Sequence, residues 1–338
     1  MRTRRITLQS AEPGFAPILT HAPRSIRAEA KSRGILCFQT NRQLEFVLVH
    51  NKRAVVFRES EPYYCDNTHS RHNNKFDTQQ KLARIGISVP KGQTFEPSSL
   101  EAIKEFWQES GFRRAVLKPV DSNKGFGVTV GIKNKSELGI AYRSIEHRTT
   151  ILEEFIEGFE HRILVVGGQV IAACKRIPAH VVGDGRLSIQ QLIVEKNNIR
   201  SKTKTHQKNI IRIDDSALGI LKSQGHELSK VLPIGTAAYL RNVSNVSMGG
   251  DSVDVTDSIS EYMIDVARRI WKAFPDRAIY GVDLITEDIS RHAPDYAVIE
   301  VNNRPMLNPL HGAPIKGLGR DVVAKIVDYI FPETKKLS

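Results

Sequence analysis

Two apolar runs near the C-terminal end, IYGVDLIT (279–286) and YAVIEVN (296–302), constrain this chain more than any other feature. Each carries an acid where a buried strand should be uniformly apolar. Asp283 lies in the first run and Glu300 in the second, and Asn302 stands two residues beyond Glu300, on the same strand face. Burying two carboxylates without a cation would strip their hydration and replace it with nothing. A divalent metal removes that difficulty. Asp, Glu and Asn offer only oxygen, the ligand set of Mg²⁺ or Mn²⁺, and few protein ligands suffice where phosphates and water complete the shell. The competing reading is that both acids pair with nearby lysines or arginines.

The rest of the chain alternates strand and helix patterns, which indicates an α/β or α+β fold. Residues 1 to about 30 are mixed and basic and read as a loose arm or a first small strand. LEFVLVHNKRAVVF reads as two strands around a polar turn. In NNKFDTQQKLARIGISVP, Asp77 or Thr78 would cap a helix that Gly86 ends, with a strand starting at Ile87 to Pro90. SSLEAIKEFWQESGF has a serine cap, helical apolar spacing and a terminal glycine. An acidic connector, ILEEF, precedes two antiparallel strands around Gly167-Gly168. Residues 183 to 230 are polar and lysine-rich, with helical pieces, and read as a mobile insertion. Helices are expected again in ISEYMIDVARRIWKAF and GRDVVAKIVDYIF. Phe106, Trp107 and Trp271 fall at core-like helical positions.

The 338 residues, 40% of them hydrophobic, are enough for two or three packed subdomains. A formal charge of +12 favours anionic partners without choosing among them. Three cysteines, Cys37, Cys65 and Cys174, have neither disulfide-framework nor zinc-cluster spacing. No apolar stretch follows the basic N-terminus and no 18-residue apolar run occurs, so a soluble, cytoplasmic protein is expected. The histidines make no zinc-hydrolase pattern, and the basic stretches lack the interleaved aromatics of a base-stacking surface.

A second chemical signal lies in RRAVLKPVDSNKGFGVTVGI, a strand, a short loop and a second strand. Glycines let backbone N–H groups approach phosphate oxygens, and Lys118 at the strand end supplies a point charge. A P-loop would run into a helix instead, so this reads as a flexible β-hairpin, and for two glycines alone a plain turn is the commoner explanation. About 30 residues later comes Glu153-Glu154-Phe155-Ile156, an apolar and hydrogen-bonding connector where a purine could sit.

From about residue 70 to 335 the order of NKFDTQQKLARIGISVPKG, VLKPVDSNKGFGVTVGI, ILEEFIEGFEHRILVVGGQVIAACKRIPAHVVGDGRLSIQQLI, NVSMGGDSVDVTD, GVDLITEDIS and YAVIEVNNRP resembles the ATP-grasp superfamily. The likeness is to the ligase domain of cyanophycin synthetase and of the bifunctional glutathione-synthesising enzymes. The resemblance implies an ATP-grasp fold, two α+β lobes holding ATP between them, in 71–335, after a smaller N-terminal α/β region in 1–70. It places an ATP-binding lid at about 112–182 and a metal and substrate lobe at about 183–335. It further implies that Lys75 and Lys118 hold the ATP phosphates and that Ser122, Asn123, Lys124, Gly125 and Gly127 close over them. Glu153 and the backbone near Phe155 and Ile156 would read the adenine, with Glu154 in the same nucleotide-binding stretch, and Glu160 would hold the ribose. Asp283, Glu300 and Asn302 match the family's metal ligands, and Arg162 and Arg176 would meet phosphate or a developing oxyanion. For these two arginines, surface salt bridges are the alternative.

One departure concerns NNRPMLNPLH, which carries an extra residue and Pro309 before His311 where the relatives run more directly to a histidine. That loop borders the acceptor side, so substrate choice is what it alters. The expected activity is an ADP-forming carboxylate–amine ligase using Mg²⁺ or Mn²⁺ and acting on an amino acid or short peptide. Nucleic acid and membrane are not expected as partners, and a homodimer is left open. A phosphotransferase and a non-catalytic ATP-binding regulator remain as alternatives.

Overall fold

The computed structural model describes residues 8–9, 21–40, 45–63, 74–121, 126–203, 205–275 and 277–335. The first unit is an antiparallel sheet in the order β1 (Leu8–Gln9), β2 (Leu36–Thr40), β3 (Glu45–His50), β4 (Arg53–Arg58), β5 (Glu61–Tyr63), with helix α1 (His21–Ser32) before β2. The polar turn between β3 and β4 closes on the His50–Arg53 pair, and Asn51 takes the left-handed conformation that Asn tolerates. Phe46 and Phe57 stack with ring centroids 5.1 Å apart. The expectation of a loose arm fails for α1, whose Ile26 and Ala30 are fully buried in a core shared with the C-terminal helix. Ile26 is the one large aliphatic residue of this helix, so the sequence gives little sign that it is buried.

The second unit contains α2 (Lys75–Arg84), β6 (Gly92–Phe95), α3 (Leu100–Ser110), β7 (Ala115–Pro119), β8 (Thr129–Ile132), α4 (Lys135–Arg143) and β9 (Thr150–Glu154). Its antiparallel sheet runs β6-β9-β7-β8 over a core that includes Leu117, Ile132, Leu138 and Tyr142. Asn74, not Asp77 or Thr78, caps α2, because its side chain accepts the Phe76 and Asp77 N–H groups. Gly86 ends that helix with φ 73°, as expected, but residues 87–90 are not a strand, and extended pairing begins at Gly92. The acidic connector is itself β9, an interior strand of this sheet.

The third unit continues with β10 (Phe159–Val166), β11 (Gln169–Ile177), β12 (His180–Val182), α5 (Ile189–Ser201), α6 (Asp215–Ser223), β13 (Ala237–Tyr239), β14 (Asp251–Asp254), α7 (Glu261–Ala273), β15 (Ile279–Thr286), β16 (Tyr296–Asn302) and α8 (Val322–Ile330). The central sheet is antiparallel in the order β14-β11-β10-β15-β16. β10 and β11 therefore belong to this sheet rather than to the sheet of the expected lid. Their turn needs Gly167, since a Cβ there would lie 2.1 Å from the Tyr329 ring.

The two faces of the central sheet differ. One carries Ile163, Val165, Val282, Leu284 and Val298 and packs with Leu82 of α2 and Ile270 of α7. The other is apolar at one end, where Leu164, Val166 and Ile279 meet α8, and polar at the other end. Residues 183–230, expected to be a mobile insertion, instead share a core of their own: Ile189, Ile193, Ala217, Leu221 and Leu232, closed by Ala238 and Leu240. Arg200 ties it down by donating to the carbonyls of Asn209, Gly249 and Gly250 and to Asp251. The many exposed lysines mask the apolar spacing in the sequence.

Candidate active site

A row of polar side chains crosses the polar end of the central sheet. In register, Asp254 faces Cys174, Cys174 faces Arg162, Arg162 faces Asp283, and Asp283 faces Glu300. Asn302 follows on β16, opposite Gly281. A bulge makes this possible. Val298 pairs with Leu284 and Glu300 with Asp283, leaving Ile299 as the extra residue. Without it Val298 and Glu300 would share a face; with it the valine stays in the core and the acid reaches the polar side.

Arg162 grips Asp283 as a fork, through Nε and through Nη2 at 2.6 Å, and both residues are buried. Gly281 leaves space for that arginine, since a Cβ there would stand 2.6 Å from Arg162 Cδ. Burial would lower the guanidinium's pKa, but Asp283 outweighs it and raises it. Arg176 bonds Glu160 through Nη1, which lies 3.4 Å from Asp283 Oδ2. Burial raises the Glu160 pKa against the pull of Arg176. The surface-salt-bridge reading of the two arginines fails, because both sit among buried carboxylates. Burial pushes the Cys174 thiol up to about 12, so it stays protonated.

The other wall comes from the β6–β9 sheet. Lys118 on β7 donates to Glu153 on β9, both buried. The second Glu153 oxygen accepts from Gln79 Nε2 at 3.1 Å, and that amide also reaches the Ile299 carbonyl at 3.3 Å. Gln79 thus links the two sheets through the bulge. Sequence reasoning does not single it out; its signal is a polar residue three positions before buried Leu82 on an amphipathic helix. Lys75 opens the same helix, and burial lowers its pKa, with Lys118 adding to the effect and Glu300, Glu153 and Asp283 opposing it. Lys75 thus feels the charges of both the lysine–glutamate pair and the acidic row.

Other expected residues are distributed less simply. Ser122, Asn123, Lys124 and Gly125 lie outside the described residues. Gly127 has φ 67°, and a Cβ there would press on Ile145 and Pro119. The Phe155 N–H is committed to the Arg114 carbonyl at 3.0 Å and its ring lies under the Arg114 guanidinium. Glu154 accepts the Lys91 N–H at 2.9 Å, which occupies one of its carboxylate oxygens. Ile156 is half-buried beside them. Ser252 and His311, which the sequence reading assigns no role, lie buried beside the arginines.

The model of the ATP-grasp domain matches residues 72–307. The chain belongs to the ATP-grasp family. Cyanophycin synthetase from Geminocystis herdmanii is 37% identical over 268 residues, covering 77% of this chain and 30% of that protein. The bifunctional glutathione biosynthesis protein of Desulfotalea psychrophila is 32% identical over 311 residues, covering 88% of this chain and 39% of its own length. The crystal structure of a bifunctional glutathione synthetase from Pasteurella multocida aligns with a TM-score of 0.67 at 28% identity, over 94% of this chain and 44% of that one. The chain therefore spans about a third of the length of the curated relatives it matches. No helix among the described residues is long and apolar enough to cross a membrane.

The donor set suits a hard divalent cation. Asp283 and Glu300 are register partners. Asn302 Oδ1 accepts the Arg304 N–H at 2.9 Å, which fixes the amide and leaves a lone pair on that oxygen. Among the described residues no group of three or more His, Cys, Asp and Glu is placed to hold a metal ion.

Proposed function

We propose that this chain is an ADP-forming carboxylate–amine ligase acting on an amino acid or short peptide. The single observation that carries the reading is the row Arg162, Asp283, Glu300, with Asn302 beside it, Lys75 nearby on α2 and Lys118 on the other wall. Such a row sets a cationic donor for phosphate beside two carboxylates for a divalent cation, and the synthetase and biosynthesis names of the relatives support the same chemistry. Mg²⁺ or Mn²⁺, held by Asp283, Glu300 and Asn302, would offset phosphate charge.

Lys75 and Lys118 hold the ATP phosphates, and Glu153, Phe155 and Ile156 flank the adenine. A substrate carboxylate attacks the γ-phosphorus, giving an acyl phosphate and ADP; an amine then displaces phosphate to leave an amide. Arg162 and Arg176 stabilise the charge that builds on the transferred group and on the tetrahedral oxygen. No side chain needs to act as a covalent nucleophile.

Carboxylate labelled with ¹⁸O tests the mechanism. One labelled oxygen should appear in inorganic phosphate, released together with ADP. AMP and pyrophosphate would mean adenylation instead, and unlabelled phosphate would mean idle hydrolysis or transfer of phosphate to another group.

A further inference from the structure

Gln79 is 3% exposed and holds two sheets with one amide nitrogen. Nε2 donates to Glu153 Oε2 at 3.1 Å and to the Ile299 carbonyl at 3.3 Å. Both acceptors adjoin groups with a role in the reaction. Glu153 takes the Lys118 ammonium on its other oxygen, and Ile299 is the bulge residue that stands between Val298 and Glu300. An amide nitrogen carries two hydrogens, so the two bonds use its whole donor capacity.

The segment that carries Gln79 spans both sheets. Val298 N–H donates to the Ser88 carbonyl at 2.8 Å, which ties the residues after α2 to β16, and Gly92 then pairs with Glu153 on β9. Lys75 lies one helical turn before Gln79 and so on the same side of α2, while Leu82 is buried in the core of the central sheet.

In the free protein Lys118 is committed to Glu153. A phosphate that draws Lys118 away strips a buried carboxylate of its cation, and a buried carboxylate left without donors is strongly unfavourable. The Gln79 amide stays on the second oxygen through that exchange and reduces its cost. At its other acceptor the amide fixes the carbonyl of the bulge. A bulge free to slip would return Glu300 towards the face that Val298 holds.

We propose that Gln79 is a positioning residue that couples the phosphate-binding lysine to the metal-binding acid. It keeps Glu153 partnered when Lys118 turns to phosphate, and it holds the bulge that aims Glu300 at the cation. The proposal rests on the placement of phosphate at Lys118 and of metal at Glu300 in the reading above, and not on which acid and amine are joined.

Calorimetric titration with ADP, once in EDTA and once in Mg²⁺, tests it on wild type, Gln79→Met, Glu300→Gln and the double variant. Gln79→Met keeps the length of the side chain and loses both donors. It should bind ADP roughly tenfold more weakly in EDTA, the effect of about one hydrogen bond to a charged group, and the factor by which Mg²⁺ tightens ADP should shrink severalfold. In the Glu300→Gln background the same substitution should leave that factor unchanged, because the acid it aims is gone. Gln79→Asn keeps an amide but is one methylene short of spanning both acceptors. It should show both losses in smaller measure, and it carries the test if the methionine variant does not fold. A variant that melts lower yet binds ADP and responds to Mg²⁺ as wild type does makes Gln79 purely structural and overturns the proposal. Weaker ADP binding with an unchanged Mg²⁺ factor overturns it too. Wild type that fails to bind ADP, or is indifferent to Mg²⁺, overturns the placement of nucleotide and metal and the coupling with it. No acid or amine enters these titrations, so a chain that couples ADP and Mg²⁺ through Gln79 but forms no amide would sink the ligase reading alone.

Discussion

Arg162 and Asp283 face each other across β10 and β15, and the guanidinium holds the carboxylate through two nitrogens. The acid that would ligate a metal is thus already paired in the protein alone. Removing the arginine leaves a buried carboxylate with its main partner gone, which costs about 3–5 kcal/mol. Arg162→Met should therefore unfold at markedly lower denaturant, and adding Asp283→Asn should restore most of the loss. Additive destabilisation in the double variant would mean that the pair is not coupled.

Glu300→Gln is nearly isosteric and removes one of the two carboxylates. ADP formation should fall by orders of magnitude while the melting temperature moves by only a few degrees. Undiminished turnover would sink the assignment of Glu300 as a metal ligand.

Lys118 and Glu153 are both buried, so Lys118→Met should weaken nucleotide binding and also destabilise the free protein. Lys118→Met with Glu153→Gln should regain stability without regaining affinity for ATP. Calorimetry of ATP binding beside denaturant melts separates the two effects; recovery of both together would argue that Lys118 acts only through folding.

Lys75 has its pKa lowered by burial and by Lys118. The sign follows from linkage: a cation depressed in the fold costs stability below its folded pKa, and the cost fades as pH rises towards the ordinary lysine value. A phosphate beside Lys75 would reverse the shift, so nucleotide binding should take up protons in the alkaline range. Titrations at about pH 9 in two buffers of different ionisation enthalpy should give different apparent enthalpies, and Lys75→Met should abolish the difference. Equal enthalpies for wild type would place Lys75 away from the phosphates.

The sequence by itself determined the strands that matter and the acids they carry. IYGVDLIT and YAVIEVN are β15 and β16, and Asp283, Glu300 and Asn302 were legible because an acid or amide in an apolar run is rarely tolerated without a partner. The Lys118 hairpin and the Gly167-Gly168 turn were equally plain, since glycine and alternation act over a few residues. Only the tertiary structure decided what depends on distant segments meeting. The bulge at Ile299 sends Val298 and Glu300 to opposite faces, which no local period reports. Gln79 joins two sheets because α2 packs beside β16, 220 residues away in sequence from the carbonyl it binds. α1 offers a single large aliphatic residue, Ile26, and its burial is decided by α8, which shares its core. Ser252 looks unremarkable in sequence, and His311 stands out there only as the end of a lengthened loop; their burial beside two arginines is a consequence of sheet order and loop closure.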